Sequence, residues 1–158
     1  MKKKFCYAKW LILSALVIGL DLFSKHEIVE RFNVGQVKPL LPFLNLTLAY
    51  NRGTAFSLLN QGAHWQFWFL TGIALVVSVA ILYYLFKGTE KDQWQNLSLS
   101  LILGGALGNV WDRLTLGVVV DFIDFHIGHW HFATFNIADA AITLGAAILV
   151  FEMLFKKE

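Results

Sequence analysis

The sequence predicts an α-helical membrane protein: four transmembrane helices, a small extracytoplasmic β-sheet region and both termini in the cytoplasm. Three observations predict it. The 158 residues are 57% hydrophobic and only 15% charged, with a mean hydropathy of +0.58, against about 45–50% and about 25% in soluble domains. Four long apolar blocks recur along the chain, and between the first two lies a stretch whose hydrophobicity alternates with period two. The length predicts one integral-membrane domain over 1–158.

The first block runs from about 10 to 28 and is interrupted by Asp21 and Lys25. The basic start before it resembles a secretory signal, but no small-x-small cleavage site follows, so it is read as a retained first span. The extracytoplasmic β region is placed at about 34–60. In LNLTLAY (44–50), Leu44, Leu46, Leu48 and Tyr50 alternate with Asn45, Thr47 and Ala49, a strand signal. Pro39 and Pro42 are read as its boundary, and TAFSLL after the NRG turn as a returning strand. The second span, 65–86, carries no charge, and its 22 residues reach about 33 Å as a helix, enough for a hydrocarbon core of about 30 Å. The third, 94–111, is uncharged and has a tryptophan at each end, as interfacial anchors should. The fourth, 137–155, holds Asp139 near its start.

Eight lysines fall at the termini and in the 87–93 loop, against five lysines and arginines on the other side. The positive-inside rule therefore puts the termini in the cytoplasm and the long 29–64 and 112–136 connections outside. A net charge of +2 gives no hint of a nucleic-acid partner, and the single cysteine, Cys6, excludes a disulfide framework or multi-cysteine metal site.

Ionisable groups within spans cost about 2.5–3.5 kcal/mol each at mid-bilayer, which makes them functional candidates. Asp21 and Lys25 are four apart and can pair on one helix face. Gly104 and Gly108 form a small-xxx-small face that Gly105 widens. Asn109 and Arg113 project from one side, and a planar permanent cation there suits phosphate or carboxylate recognition. Asp112 reads as the surface partner of Arg113. His126, His129 and His131 fit no strong metal motif, and HIGHWHF reads as an interfacial turn.

The sequence lacks G-x-S-x-G and H-E-x-x-H, and the adjacent Ser24 and Lys25 make a weak dyad. Acid–base chemistry by paired aspartates is what remains: two facing carboxylates share one proton, activate a water and protonate a leaving nitrogen. Asp121, Asp124 and Asp139 are the candidates, and spacing does not choose among them. Asn136 can cap the fourth span and turn Asp139 into the bundle, while Asp124 reads best as an exposed or capping carboxylate. The rival readings are a proton-coupled carrier and a purely structural membrane protein. The polar residues crowd at one end of the spans, which favours interfacial chemistry.

Taken together, DLFSK (21–25), NRGTAFS (51–57), GGALGNVWDR (104–113), VVDFIDF (119–125) and FNIAD (135–139) closely resemble, in order and spacing, the bacterial lipoprotein signal peptidase family, signal peptidase II. The resemblance covers nearly the whole chain. Arg52 and Thr54 depart from many members, while Asn51, Gly53, Ala55 and Phe56 match. It implies an aspartic endopeptidase of the bacterial cytoplasmic (inner) membrane. Such an enzyme cuts diacylglyceryl-modified prolipoproteins just before the lipidated cysteine, near the periplasmic face, and is inhibited by globomycin. Carried over by motif, Asp121 and Asp139 become the catalytic pair. Asp21, Lys25, Asn51, Gly105, Asn109, Arg113 and Asn136 become supporting or substrate-binding residues, and the 44–60 segment with Phe56 a lid. No metal or other cofactor and no partner subunit is implied; the expectation is a monomer among membrane lipid.

Overall fold

The computed structural model describes residues 7–53, 64–87 and 93–155. In chain order these form α1 (Ala8–Arg31), β1 (Val37–Leu41), β2 (Leu44–Asn51), α2 (His64–Lys87), α3 (Gln93–Leu116), β3 (Val119–Ile127), β4 (Trp130–His131) and α4 (Ile137–Phe155). The four helices lie over the four apolar blocks. Two of them, Trp65–Lys87 and Ile137–Phe155, are long and apolar enough to cross a membrane by length and composition alone, with mean hydropathies of 2.3 and 1.9. The anticipated strand at TAFSLL, and residues 54–60 of the anticipated lid, lie outside the described residues.

α3 is the central helix and touches the other three. Its glycines allow this. A Cβ on Gly104 would stand 2.7 Å from the Val17 Cβ of α1, and one on Gly105 would collide with the Ala138 carbonyl oxygen of α4. Gly145 returns the arrangement from α4, where a Cβ would meet the Ser98 carbonyl at 2.7 Å. Small residues of this kind let helix backbones approach where hydrophobicity alone cannot drive association.

Beside buried Val17, Leu103 and Val110, α1 and α3 also bury many polar side chains. Ser14, Asp21, Lys25, Asn96, Ser98, Ser100, Asn109 and Asp112 are buried on α1 and α3, whereas Ile12, Leu16, Leu20, Phe23 and Trp111 are largely exposed. The buried hydroxyls are satisfied within the bundle: Ser14 donates to the Ser100 carbonyl at 2.9 Å, and Ser100 to the Asn96 carbonyl at 2.6 Å.

The sheet has the order β1-β2-β3-β4 with antiparallel pairing throughout. Its first hairpin precedes the anticipated one. Pro39 does not bound the strand but lies within β1, opposite Asn45. This is tolerable because β1 is an edge strand, where a missing N–H breaks no internal ladder. The period-two signal in 44–50 is a strand, but its polar positions Asn45 and Thr47 are the buried ones. A register shift between Leu46 and Ala49 then turns Leu48 inward.

The stretch read as an interfacial turn is a β-hairpin, β3 turning at Gly128 (φ 60°) into β4. β3 follows α3 after two residues, with Gly117 (φ 74°) ending the helix by donating to the Arg113 carbonyl at 3.0 Å. β2 lines one edge of β3, and the other edge bridges to Phe135 through Ile123. That bridge sets Asn136, at the start of α4, directly beside β3.

Candidate active site

The site is built where β3, the ends of α1 and α3, and the start of α4 meet. Alternation along β3 sends Asp121 and Asp124, three apart, to opposite faces of the strand. Both faces are covered: Asp121 is 2% exposed and Asp124 6%.

Asn136 is completely buried and joins the site together. Its amide nitrogen donates to Asp121 Oδ1 at 2.7 Å, and to the Val120 carbonyl and Asn109 Oδ1 at 3.2 Å each. Its Oδ1 accepts from the Asp139 backbone N–H at 2.9 Å, while Asp139 Oδ2 faces the Asn136 N–H at 3.4 Å. This is a reciprocal N-terminal cap of α4. It fixes Asp139 in the first turn, where the helix dipole stabilises negative charge. Asn109 Nδ2 donates to Asp139 Oδ1 at 2.7 Å, and Asn51 Nδ2 to Asp121 Oδ2 at 3.0 Å. Asn51 stands opposite Val119 on β2, so it reaches Asp121 diagonally across the sheet. The two carboxylates are thus joined through one residue, Asn136, whose side-chain amide holds Asp121 and whose backbone N–H faces Asp139, and each is held by a second side-chain amide.

Below them lies an ionic layer. Lys25 Nζ contacts Asp21 Oδ2 at 2.6 Å, Asp112 Oδ2 at 3.0 Å and Asn109 Oδ1 at 3.2 Å, which occupies all three ammonium donors. Asp21 Oδ1 accepts the Ala138 N–H at 2.8 Å, capping α4 from a different helix. Asp112 Oδ2 also accepts the Val120 N–H at 3.0 Å, so it anchors the residue preceding Asp121. The reading of Asp112 as a surface partner of Arg113 is therefore corrected: it is 2% exposed and pairs with Lys25. The missed signal was its spacing. Gly104, Gly108 and Asp112 follow one another at intervals of four, on the stripe that faces α1.

Arg113 is half-buried and makes no ion pair within 4 Å among the described residues; its guanidinium reaches the Asn109 carbonyl at 3.5 Å. Asp139, Asp121 and Asp112 are the acids whose charge it feels, in that order.

Burial pushes the Asp121 carboxyl from the ordinary 3.8 up to about 6, with the Asp139 charge adding to it; the Asn51 and Asn136 hydrogen bonds and the Lys25 charge oppose the rise. Asp124 differs. The reading of an exposed or capping carboxylate is overturned, because it is buried and accepts from Asn45 Nδ2 at 2.8 Å while His131 Nδ1 lies 2.8 Å away. Burial alone would raise its carboxyl, but these hydrogen bonds and the His131 and His126 charges bring it below the ordinary value. His126 stacks on His131 at 5.0 Å between ring centres. No three His, Cys, Asp or Glu side chains converge as a metal-binding group among the described residues.

A cavity of about 670 Å³ opens beside the pair. Asn51, Asp139 and Phe132 lie at one end, and Thr143, Leu144 and Ala147 continue it along α4. Residues 139, 143 and 147 form one helical stripe about 12 Å long. The arrangement offers two carboxylates, dense amide donors and an apolar groove leading away from them, which suits hydrolysis of a bond held at the end of an apolar chain.

Comparisons with known proteins agree in class. The family model described as "Signal peptidase (SPase) II" matches residues 13–155. The lipoprotein signal peptidase of Yersinia enterocolitica (serotype O:8 / biotype 1B) is 47% identical over 154 residues, covering 96% of this chain and 91% of that protein. That of Yersinia pestis (strain Pestoides F) is 46% identical over the same coverage. Two solved structures, each described as a bacterial membrane enzyme obtained by the in meso method, superpose with TM-scores of 0.85 and 0.83 at 30% identity. The first, at 1.9 Å resolution, covers 99% of both chains, and the second, at 2.3 Å, 96% of this chain and 92% of its own. A match over nearly the whole chain, in sequence and in a mostly helical fold with a small sheet, has one consequence: the chain belongs to the signal peptidase II family.

Proposed function

We propose that this chain is an aspartic endopeptidase that removes the signal peptide from diacylglyceryl-modified prolipoproteins, with Asp121 and Asp139 as its catalytic pair. Family membership makes it a membrane peptidase of lipoprotein maturation. The aspartic mechanism rests on one observation above all: the buried Asn136 holds the Asp121 carboxylate with its side-chain amide and faces the Asp139 carboxylate with its backbone N–H, and Asp139 stands at the head of an apolar groove.

In the resting pair the shared proton sits on Asp121, whose carboxyl is raised by burial. Water held between them attacks the scissile carbonyl, giving its proton to Asp139, while the Asp121 proton supports the developing oxyanion. As the intermediate collapses, a proton passes to the departing amide nitrogen and the carbon–nitrogen bond breaks. Asn51, Asn109 and Asn136 hold the carboxylates at fixed orientation throughout. Arg113, without an ion pair of its own among the described residues, is free to meet a carbonyl or phosphate at the substrate's polar end. The groove along Thr143, Leu144 and Ala147 takes an acyl chain or the apolar signal segment. This chemistry calls on neither metal nor cofactor.

The whole chain is read as one domain with four spans. α1, α2 and α3 have 24 residues each and α4 has 19, so all reach about 28–36 Å. The polar faces of α1 and α3 turn inward and their apolar faces outward, which supports spanning despite their charges. The lysine bias favours cytoplasmic termini in a bacterial inner membrane, with the site at the periplasmic end. Nothing in the site demands a second subunit, so it is read as a monomer.

The test is a gel-shift assay with purified protein and a lipid-modified prolipoprotein. Wild type should cleave and globomycin should block it, while Asp121→Asn and Asp139→Asn should fold and fail. Near-normal turnover by either variant would sink the dyad assignment, and full insensitivity to globomycin would count against the substrate reading.

A further inference from the structure

On the α1–α3 side of the ionic layer lies a second cavity, of about 230 Å³, whose lining shares no residue with the groove beside Asp139. Lys25 and Asp112 form its floor, and Trp111, Thr115 and His26 its wall. We propose that this cavity binds the primary ammonium of a phospholipid headgroup, an ethanolamine-type lipid.

Charge is the first argument. Asp21, Asp112 and Lys25 are 0%, 2% and 3% exposed, and one ammonium serves both carboxylates, with Lys25 Nζ nearer Asp21, at 2.6 Å, than Asp112, at 3.0 Å. Buried charges need a partner or a proton. The second argument is an open acceptor. Lys25 and the Val120 N–H both use Asp112 Oδ2, whereas Oδ1 receives no hydrogen bond from any described residue. Asp112 itself lines the cavity.

The lining selects the cation. Lys25 Nζ, 3.0 Å from Asp112, repels a divalent ion about twice as strongly as a monovalent ammonium at the same place. Asp112 Oδ1 and the lone pairs of Thr115 Oγ1 are too few oxygens to replace the shell of a hydrated metal. An ammonium needs fewer acceptors and gains from the face of an indole such as Trp111. Position supplies the tail. The cavity sits near the ends of α1 and α3 beside β3, with Leu22, Val29 and Leu116 in its lining, and Val29 and Leu116 are exposed and apolar. This inference rests on the membrane placement proposed above, in which that end meets the outer headgroup layer.

The experiment is native mass spectrometry of the purified full chain with equal amounts of phosphatidylethanolamine, phosphatidylcholine and phosphatidylglycerol. One phosphatidylethanolamine should be retained about tenfold or more over phosphatidylcholine, whose quaternary nitrogen has no N–H to donate. Asp112→Asn should abolish the preference. Thr115→Phe, which fills the cavity from outside the ionic layer, should abolish it also and covers the case in which Asp112→Asn does not fold. Equal retention of the two zwitterionic lipids would overturn the proposal, as would undiminished selectivity in folded Thr115→Phe. Displacement of the lipid by free ethanolamine would support ammonium recognition by a soluble amine; selective retention despite it would support the tail-anchored headgroup. Prolipoprotein cleavage measured on the same sample separates the two readings, since selective lipid binding without cleavage strikes only the peptidase assignment.

Discussion

Removing the Asn51 amide should move the alkaline limb of the cleavage reaction upward in pH. Asn51 donates at 3.0 Å to Asp121 Oδ2 and favours the charged carboxylate, so its loss makes the Asp121 proton harder to remove. A hydrogen bond to a charged group contributes about 1.5–3 kcal/mol, and one pKa unit corresponds to about 1.4 kcal/mol. A protonated carboxyl still accepts part of that bond, so a shift of about one unit is expected. In wild type, activity should fall as pH rises through about 6, where the shared proton leaves Asp121. In Asn51→Ala the fall should come near pH ~7. The assay is kcat/KM for prolipoprotein cleavage from pH 5 to 9. Amplitude will drop as well, because Asn51 Oδ1 also accepts the Gly53 N–H at 2.8 Å, but limb position is independent of amplitude. A limb that stays in place or moves to lower pH would refute the assignment of the proton to Asp121.

The same shift has a stability sign. Between 3.8 and about 6 the native state holds the Asp121 proton more tightly than the unfolded chain, so stability falls as pH rises through that window and is level above it. Asp121→Asn should flatten this slope and gain up to about 3 kcal/mol at neutral pH, measured by thermal unfolding in detergent, while losing at least about a hundredfold in cleavage. Asn136→Asp is nearly isosteric and keeps a good helix cap, but it buries a further carboxyl against Asp121; it should melt below wild type and lose cleavage about as severely, because an acceptor then faces Asp121. Gly105→Ala should lower stability by about 1–3 kcal/mol through overpacking against Ala138, seen as a lower melting temperature. Asp124, depressed below its ordinary value, contributes stability present above about pH 4 and lost as pH falls through its lowered value. Asp124→Asn should therefore be less stable than wild type at neutral pH, and the difference should vanish in acid.

The helices were legible as long blocks with few or no charges, and two of them, Trp65–Lys87 and Ile137–Phe155, are apolar enough to cross a membrane by length and composition. The glycine spacing of α3 was legible too: a small-xxx-small face has one geometric use. The sheet was read less well. Its polar alternation lies inside rather than outside because Asn45 and Asp124 satisfy one another across the strands, and a pairing 79 residues apart leaves no local trace. Asp112 was misread because Arg113 stands next to it, although adjacent helical residues point apart. Lys25, its actual partner, was four residues from Asp21 and equally well placed for a third helix. Motif order chose Asp121 and Asp139, where spacing could not; in the fold it is the Phe135 bridge to Ile123 that carries Asn136 to Asp121.

The prevalence of asparagine around these acids follows from charge. Four carboxylates, Asp21, Asp112, Asp121 and Asp139, share this end of the bundle with two cations, Lys25 and Arg113. Under the proposed mechanism, further lysines would neutralise the pair and abolish the shared proton, and further acids would raise the burial cost. An amide offers two donors and an acceptor at no net charge, so it can tie carboxylates to one another without altering the electrostatic balance that holds the proton. Asn136 spans both acids, Asn109 joins Asp139 to Lys25, and Asn51 restrains Asp121 from the sheet. The layer of Lys25, Asp21 and Asp112 is thereby kept one amide removed from Asp139. Orientation and proton affinity can then be set by different residues, which is why substitutions at Asn136 and at Asn51 should separate a loss of geometry from a shift in pH dependence.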